Sequence, residues 1–256
     1  MVQHSLPDTP LAHSARQRIA AVDGLRGGAV ALMIAYHGLW DATFLGLIDL
    51  PLLTAWPWLV ARAAILTLFL ALAGMSLTLG HGAGLRWRSF RRRLAQVGGA
   101  AAAITAATML PFPDAYIFFG ALHHIAVASV LALGLLRLPW PALLAIGVAA
   151  SILPEVVALG GIFERLPLVV LGLAASPPLS VDFVALLPWF AAWPAGILLG
   201  RSIARRASQP DQGWLDWHPA SLAGRLLVLA GRHSLIVYLV HQLPLMGGLW
   251  LVAQAM

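Results

Sequence analysis

Long apolar stretches alternate with short polar ones along most of this chain. A helix needs roughly 20 apolar residues to cross a bilayer, and seven stretches come close to that length. They are residues 25–47, 57–80, 94–112, 117–136, 139–157, 183–203 and 233–254. Proline can begin a helix but cannot continue one, so Pro139 and Pro141 predict a tight turn between the fourth and fifth stretches. The pattern predicts an all-α integral membrane protein, a polytopic bundle of about seven transmembrane helices.

One further apolar stretch, residues 163–175, is only about half as long as a span, and Pro177 and Pro178 follow it. If it crossed the bilayer, every arginine from Arg201 onward would change sides. We therefore expect an outer re-entrant or interfacial segment here.

Composition supports a membrane protein and excludes several kinds of chemistry. The chain has 256 residues, of which 60% are hydrophobic and 10% charged, whereas a soluble domain carries about 25% charged residues. It has no cysteine and no lysine, which excludes disulfides, thiolate nucleophiles, cysteine metal sites and a lysine Schiff base. The net charge of +6 does not indicate nucleic-acid binding, because the arginines lie at helix ends.

The distribution of arginines predicts the orientation. Residues 86–93 hold five arginines and residues 201–225 hold four, whereas Asp49, Asp114 and Glu155 lie in the opposite loops. Arginine favours the cytoplasmic side. We expect a multi-pass protein of the cell's inner (plasma) membrane, in which residues 1–20 form a cytoplasmic tail rather than a cleaved signal.

Ionisable side chains within the first apolar stretch are the strongest indication of function. His37 and Asp41 are four positions apart and share one helix face. A carboxylate beside an imidazole fixes its tautomer, which is a general-base arrangement. The alternative is a polar pair that faces water at the outer helix end. Because ionisable groups inside a membrane are costly and often functional, we favour the general base.

Three more histidines lie in later apolar stretches. His123 and His124 are adjacent, so they point about 100° apart on a helix and at most one faces His37 squarely. His241 shares a face with Tyr238. Each of these histidines either lines a reaction pocket or makes a hydrogen bond between helices. Their spacing does not suit a metal pair, and we predict no metal.

Arginines mark the cytoplasmic ends of the first and last stretches. Arg26 precedes Gly27, and Arg232 precedes His233. A guanidinium suits phosphate, and a glycine lets a ligand approach the backbone. The alternative is that the arginines reach to lipid phosphate. Asp182 begins the sixth stretch, where it either caps the helix or binds an amine or sugar hydroxyl.

Five segments, taken in order, resemble the catalytic-domain family of heparan-alpha-glucosaminide N-acetyltransferase, in part its bacterial form. They are Ala21-Val22-Asp23-Gly24-Leu25-Arg26-Gly27, Phe69-Leu70-Ala71-Leu72-Ala73-Gly74-Met75-Ser76, Tyr116-Ile117-Phe118-Phe119-Gly120-Ala121-Leu122-His123-His124-Ile125, Leu187-Pro188-Trp189-Phe190 after Asp182, and Gly231-Arg232-His233-Ser234 through Tyr238-Leu239-Val240-His241-Gln242. The resemblance implies one transmembrane acyltransferase-like domain over residues 1–256. Acetyl-coenzyme A (acetyl-CoA) would be the co-substrate on the cytoplasmic side, and an amino sugar or glycan would accept the acetyl group outside.

The chain departs from this family at one important position. The lysosomal enzymes carry their proposed active-site histidine in the outer loop after the first span, and residues 45–57 hold no histidine here. The chemistry must therefore use His37, His123, His124 or His241. We expect His37 to be the base and Asp41 its orienter.

The resemblance also suggests which residues hold the two substrates. Arg26, Gly27, Arg232 and His233 would hold coenzyme A, and Trp40, Asp182 and Tyr238 would contact the acceptor. A proton-coupled small-molecule transporter that uses the histidines and Asp41 as a relay is the alternative, and a scaffold subunit is a third hypothesis. A homo-oligomer is compatible with either function.

Overall fold

The computed structural model describes residues 19–157, 159–209 and 213–256. Most of these residues are helical, and the only β-pairing described is an isolated bridge between Leu159 and Ala174, so the all-α class is confirmed. The α-helices are α1 (Ala20–Phe44), α2 (Trp56–His81), α3 (Trp87–Met109), α4 (Ala121–Leu133), α5 (Trp140–Val156), α6 (Ala192–Arg206), α7 (Leu222–Arg232), α8 (Ser234–Val240) and α9 (Gln242–Ala255). The predicted tail, with its arginines Arg16 and Arg18, lies outside the described residues except at its end.

Six of the predicted apolar stretches coincide with helices. Stretches one to five correspond to α1 to α5, with a short 3-10 turn, Gly134–Arg137, extending α4. The last stretch corresponds to α8 and α9, which follow one another through His241. Helix α7 lies between the sixth and seventh predicted stretches, where no span is predicted, and Ser221 caps it by accepting a hydrogen bond from the Gly224 N–H.

The prediction of a helical span over residues 183–203 is wrong in its first half. Helix α6 begins only at Ala192. The preceding backbone is bonded to other parts of the chain: the N–H of Val184 donates to the Phe119 carbonyl, and the N–H of Leu186 donates to the Val170 carbonyl. Pro188 also disfavours helix at the residue before it. These bonds to distant segments replace the first turns of the predicted helix.

The apolar segment 163–175 forms no long helix. It contains a 3-10 turn at Leu168–Leu171, and another, Gly161–Glu164, overlaps its start. Near the end of the segment, the Leu173 carbonyl accepts a hydrogen bond from the Leu159 N–H. At about 2 Å of rise per residue, a four-residue turn is far too short to cross a bilayer. The segment instead lies against Leu186 and Leu187, whose N–H groups donate to the Val170 and Leu171 carbonyls.

Two described helices are long and apolar enough to cross a membrane. They are Trp56–His81 and the continuous run Ser234–Ala255, while Ala121–Arg137 and Trp140–Val156 are apolar but shorter. Helix α1 has 25 residues, or about 37 Å at 1.5 Å per residue. It includes Asp23, Arg26 and Asp41, so its sequence is more polar than that of the two candidate spans.

Glycines let two pairs of helices approach closely. A Cβ atom added at Gly27 in α1 would lie 1.9 Å from the Leu227 carbonyl oxygen of α7, and one at Gly231 would lie 1.7 Å from the Asp23 carbonyl oxygen. At the crossing of α2 and α6, a Cβ at Gly196 would lie 2.1 Å from the Ala71 oxygen. Close contact of backbones through small residues is typical of helix packing in membranes. The first crossing fixes α7 beside α1 and thereby positions Arg232 near Asp23.

Candidate active site

Two histidines that are distant in sequence form one pair. His37 lies on α1 and His241 at the junction of α8 and α9, and His37 Nδ1 is 2.7 Å from His241 Nε2. Their rings are stacked, with centroids 5.0 Å apart. The sequence indicates each of them separately as a candidate, and the structure brings them together.

The hydrogen bonds around this pair fix where the protons lie. His241 Nδ1 is 2.7 Å from the Tyr238 carbonyl oxygen, which can only accept, so Nδ1 carries a proton. In the neutral ring His241 Nε2 then accepts a hydrogen bond from His37 Nδ1–H. This leaves an unprotonated Nε2 on His37, and no described residue forms a hydrogen bond with that atom. His37 Nε2 is therefore an available base.

Asp41 lies next to the pair but has a different partner. Its side chain is fully buried, and its Oδ1 accepts a 2.7 Å hydrogen bond from Gln242 Nε2. Its Oδ2 is buried without a hydrogen bond. The ring of His37 is held by His241 in place of the predicted hydrogen bond to Asp41. The sequence analysis did not include Gln242 among the candidate site residues, although it directly follows His241.

Three further polar side chains complete what we call the polar ring, defined as His37, Arg62, Asp182, Tyr238 and His241. The Tyr238 ring centroid is 5.9 Å from that of His241. Asp182 lies in the segment before α6, and Arg62 is exposed on α2 and makes no hydrogen bond or ion pair with a described residue. The ring contacts join α1 and α8 at this site.

Asp182 caps a different helix from the one that the sequence suggests. Its Oδ2 accepts a 3.2 Å hydrogen bond from the backbone N–H of Ala121, at the start of α4. Burial raises the pKa of this carboxyl, while the Ala121 N–H and the charge of Arg62 act in the opposite direction. The second oxygen, Oδ1, makes no hydrogen bond with a described residue, so it can receive a donor from a ligand.

Arg62 is the member of the polar ring that sequence reasoning missed. It lies in α2, within a helix of mean hydropathy 2.0 over its most apolar window. A charged residue inside such a helix is by itself an indication of function. The prediction of orientation used the arginines of the loops, and Arg62 lies outside these loops.

His123 and His124 lie outside the polar ring and have fixed partners. His123 Nδ1 accepts from the Gly120 N–H at 3.2 Å, so its Nε2–H donates to Thr105 Oγ1 at 3.1 Å. His124 is completely buried. Its Nδ1–H donates to the Ala185 carbonyl at 3.0 Å, and its Nε2 accepts from Trp193 Nε1–H at 3.3 Å. Both rings connect helix α4 to its neighbours, which is the interhelical alternative that the sequence left open.

The other end of α1 carries a second polar cluster, which we call the arginine mouth and define as Asp23, Arg26, Ser76 and Arg232. Arg26 Nη1 donates to Asp23 Oδ1 at 2.9 Å, and Arg232 Nε donates to Asp23 Oδ2 at 3.4 Å. Arg26 Nη2 also donates to Ser76 Oγ at 2.7 Å. One buried carboxylate thus faces two guanidinium groups, and the cluster keeps a net positive charge.

The remaining predicted site residues lie in different environments. Gly27 faces the Leu227 carbonyl and serves helix packing, and its approach to a ligand stays a prediction. His233 is exposed at the end of α7. Trp40 stacks on Phe44 with ring centroids 5.2 Å apart. The described part of the chain has no group of three or more histidine or acidic side chains that could hold a metal.

Comparison with known proteins identifies the family. The family model described as heparan-alpha-glucosaminide N-acetyltransferase, catalytic, matches residues 18–243. That range includes the arginine mouth and the whole polar ring. Searches of curated proteins and of solved structures found no match to the chain. The resemblance seen in the sequence is confirmed, and the chain belongs to the heparan-alpha-glucosaminide N-acetyltransferase catalytic family.

Proposed function

We propose that this protein is a membrane-embedded acyltransferase that moves an acetyl group from acetyl-CoA to an amino sugar or glycan, with His37 as general base. Family membership implies an acetyltransferase with acetyl-CoA as donor. The observation that supports the role of His37 is its unprotonated Nε2, which the bonds to His241 and the Tyr238 carbonyl leave open. A base needs such a lone pair within reach of the attacking group.

The exposed surface and the lengths of the helices support placement in a membrane. Large apolar side chains are exposed along several helices, including Leu243 at 77%, Val156 at 69% and Leu222 at 68%. Lipid solvates such a surface better than water does. We propose a single multi-pass domain of about seven crossings in the inner membrane. The arginine counts support an N-terminus and an arginine mouth on the cytoplasmic side.

The two polar clusters then suit the two ends of the donor. Coenzyme A carries phosphates at one end and the thioester at the other. The eleven positions from Arg26 to His37 along α1 rise about 16 Å, a separation that the extended pantetheine arm is suited to cross. Arg26 and Arg232 would hold phosphate as charge-assisted donors. The thioester would reach His37 near the outer side.

The reaction needs only one base. The acceptor nitrogen or oxygen attacks the thioester carbonyl carbon, and its proton moves to His37 Nε2. A new C–N or C–O bond forms, the C–S bond breaks, and the thiolate of coenzyme A leaves and takes the proton from His37 Nε2, which returns the ring to its neutral form. Between the two proton transfers His37 is an imidazolium that still donates through Nδ1–H to His241, which stabilises the charge. We propose this direct transfer over a route through an acetyl-histidine.

The acceptor would lie between His37 and the outer face of the polar ring. Asp182 Oδ1 is open to an amine or sugar hydroxyl, and Tyr238, whose ring centroid is 5.9 Å from that of His241, would also contact the acceptor. Trp40, three positions after His37 on α1, offers an aromatic face to a sugar. These groups suit an acceptor with several hydroxyls or an amine, and family membership does not favour the transporter hypothesis.

Coenzyme A thiol release by the detergent-purified full-length chain tests this function. Release from acetyl-CoA should increase when glucosamine is added, and mass spectrometry should find acetylated glucosamine or acetylated glycan in equal amount. Absence of thiol release together with absence of acetyl-CoA binding would contradict the proposal. Binding without release to glucosamine would direct the search to other amino sugars and glycans.

A further inference from the structure

Asp41 takes no part in the acetyl transfer described above, although it lies fully buried on α1 one helical turn after His37. Gln242 is the one hydrogen-bond partner of its side chain among the described residues. Gln242 Nε2 donates to Asp41 Oδ1 at 2.7 Å, and Oδ2 is buried without a partner. A buried carboxyl group with a single neutral donor costs free energy that one hydrogen bond does not fully recover. Stability therefore does not account for Asp41.

The contact between Asp41 and Gln242 joins the same two helices as the histidine pair. Asp41 follows His37 by four positions and shares its face of α1, and Gln242 directly follows His241. The distance from His37 Nδ1 to His241 Nε2 is 2.7 Å, and that from Gln242 Nε2 to Asp41 Oδ1 is also 2.7 Å. One contact leaves two helices free to pivot about it, whereas two contacts a turn apart fix the rotation and height of one helix against the other.

Apolar packing holds the last helices only weakly. No residue of Ser234–Val240 or Gln242–Ala255 is buried, and His241 between them is the single buried residue of this run. Where α9 passes Gly38 of α1, an added Cβ would lie 3.6 Å from Leu245 Cδ1, which is an ordinary contact. Lipid tails solvate apolar side chains as well as protein does, so apolar contacts give α9 little preference for one position on α1.

We infer that Asp41 and Gln242 are positioning residues, whose hydrogen bond aligns α9 with α1 so that His241 Nε2 accepts from His37 Nδ1–H. This inference rests on the proposed acyltransferase function. Asp41 then acts through Gln242 and His241, and its role needs an acceptor oxygen but no negative charge. Loss of the alignment should lower kcat and leave the binding of both substrates largely unchanged.

Replacement of both residues by leucine separates positioning from stability. The double variant Asp41→Leu/Gln242→Leu removes both polar groups together, so it should melt at or above the wild-type temperature. A displacement of about 1 Å can cost about 10²-fold in rate, so we expect kcat of acceptor-stimulated thiol release to fall about tenfold to a hundredfold. Both KM values should stay within about threefold of wild type. Asp49→Leu/Gln254→Leu, at two exposed positions, is the matched control and should keep the wild-type kcat.

Two further variants test how the pair works. Gln242→Leu alone should lower kcat as much as the double variant, because both remove the same hydrogen bond. Asp41→Asn keeps a side-chain oxygen that can accept from Gln242 Nε2 but removes the acid, so it should recover most of the kcat that Asp41→Leu loses. In each case kcat is expressed per folded molecule, with the folded fraction taken from the melting curve.

Four outcomes would overturn the inference while the wild type still releases thiol and the acyltransferase function stands. A folded double leucine variant with the wild-type kcat would exclude a positioning role. A double variant that melts below the wild type would assign the pair to stability. Losses that multiply when the two leucine substitutions are combined would mean that the residues act separately. An Asp41→Asn protein as slow as Asp41→Leu would mean that the acid itself is required. A wild type without acceptor-stimulated release overturns the proposed function, and this inference with it.

Discussion

The Nδ1 atom of His37 lies 2.7 Å from the Nε2 atom of His241, although 204 positions separate the two residues along the chain. Because His241 is itself anchored to the Tyr238 carbonyl, the pair has one arrangement of protons when both rings are neutral. His241 thus acts through His37, as a positioning residue that fixes its tautomer.

His241 Nε2 accepts a hydrogen bond from His37 Nδ1–H, and loss of this acceptor should slow acetyl transfer. A hydrogen bond to a charged group is worth about 1.5–3 kcal/mol, so His241→Ala should lower kcat about tenfold to a hundredfold. His241→Gln should recover part of this loss, since its amide oxygen can accept from His37 Nδ1–H. Steady-state thiol release measures both, with His218→Gln as the control at an exposed histidine. Equal kcat values for His241→Ala and wild type would contradict the positioning role.

His124 should affect stability and not turnover. Its ring is fully buried and satisfies the Ala185 carbonyl and the Trp193 indole N–H. His124→Ala leaves both groups unpaired, which costs at least about 1–3 kcal/mol. We expect a lower melting temperature in detergent but a normal kcat per folded molecule. His218→Ala, at an exposed position, should melt like the wild type. A large loss of kcat without loss of stability would return His124 to the list of catalytic residues.

The crossing of α1 and α7 should not tolerate a side chain at Gly27. Gly27→Ala places a methyl group 1.9 Å from the Leu227 carbonyl oxygen, and overpacking of this kind costs about 1–3 kcal/mol or more. At Gly28 an added Cβ meets no atom within 4 Å, so Gly28→Ala should be neutral or gain about 0.5–1 kcal/mol from helix propensity. Melting temperatures that fall equally in both variants would contradict this account of the packing.

The arginine mouth should set the affinity for the donor. Arg232→Gln should weaken acetyl-CoA binding about tenfold, because a charge-assisted hydrogen bond to phosphate is worth at least about 1.5 kcal/mol. Isothermal titration calorimetry measures the change, and affinity should fall as salt increases. Arg225→Gln, exposed on the same helix, is the matched control. If both variants bind acetyl-CoA as the wild type does, the phosphates bind elsewhere.

The absence of native cysteine makes the proposed orientation easy to test. Thr54 lies in the loop after α1 and Ser89 at the start of α3, and both are exposed. A membrane-impermeant thiol reagent should label Thr54→Cys from outside intact cells and Ser89→Cys only after the membrane is opened. Labelling of Ser89→Cys in intact cells would reverse the orientation inferred from the arginines.

Most helices of this protein can be predicted from the sequence, because they depend on local patterns of apolar residues. Apolar stretches predict most of the helices, since each helix buries or exposes a long apolar surface irrespective of its neighbours. Ionisable residues in those stretches, such as His37 and His241, are recognisable one at a time because they are costly there. The family resemblance, which depends on the order of short segments, was also visible.

The remaining features depend on contacts between distant segments. Hydropathy does not show that the Val184 and Leu186 N–H groups bond to other loops, so the sixth predicted helix began too early. Which histidine faces His37 depends on the rotation of each helix about its axis, and apolar stretches leave this rotation undefined.

The central claim is that His37 Nε2 is the base for acetyl transfer, and one comparison tests it most directly. Acceptor-stimulated thiol release from acetyl-CoA should be measured for the wild type, for His37→Gln and for His123→Gln, each shown to be folded by its melting temperature and to bind acetyl-CoA. We expect His37→Gln to lose at least about 10²-fold in kcat and His123→Gln to keep the wild-type rate. A folded His37→Gln protein that transfers acetyl groups at the wild-type rate would contradict the account.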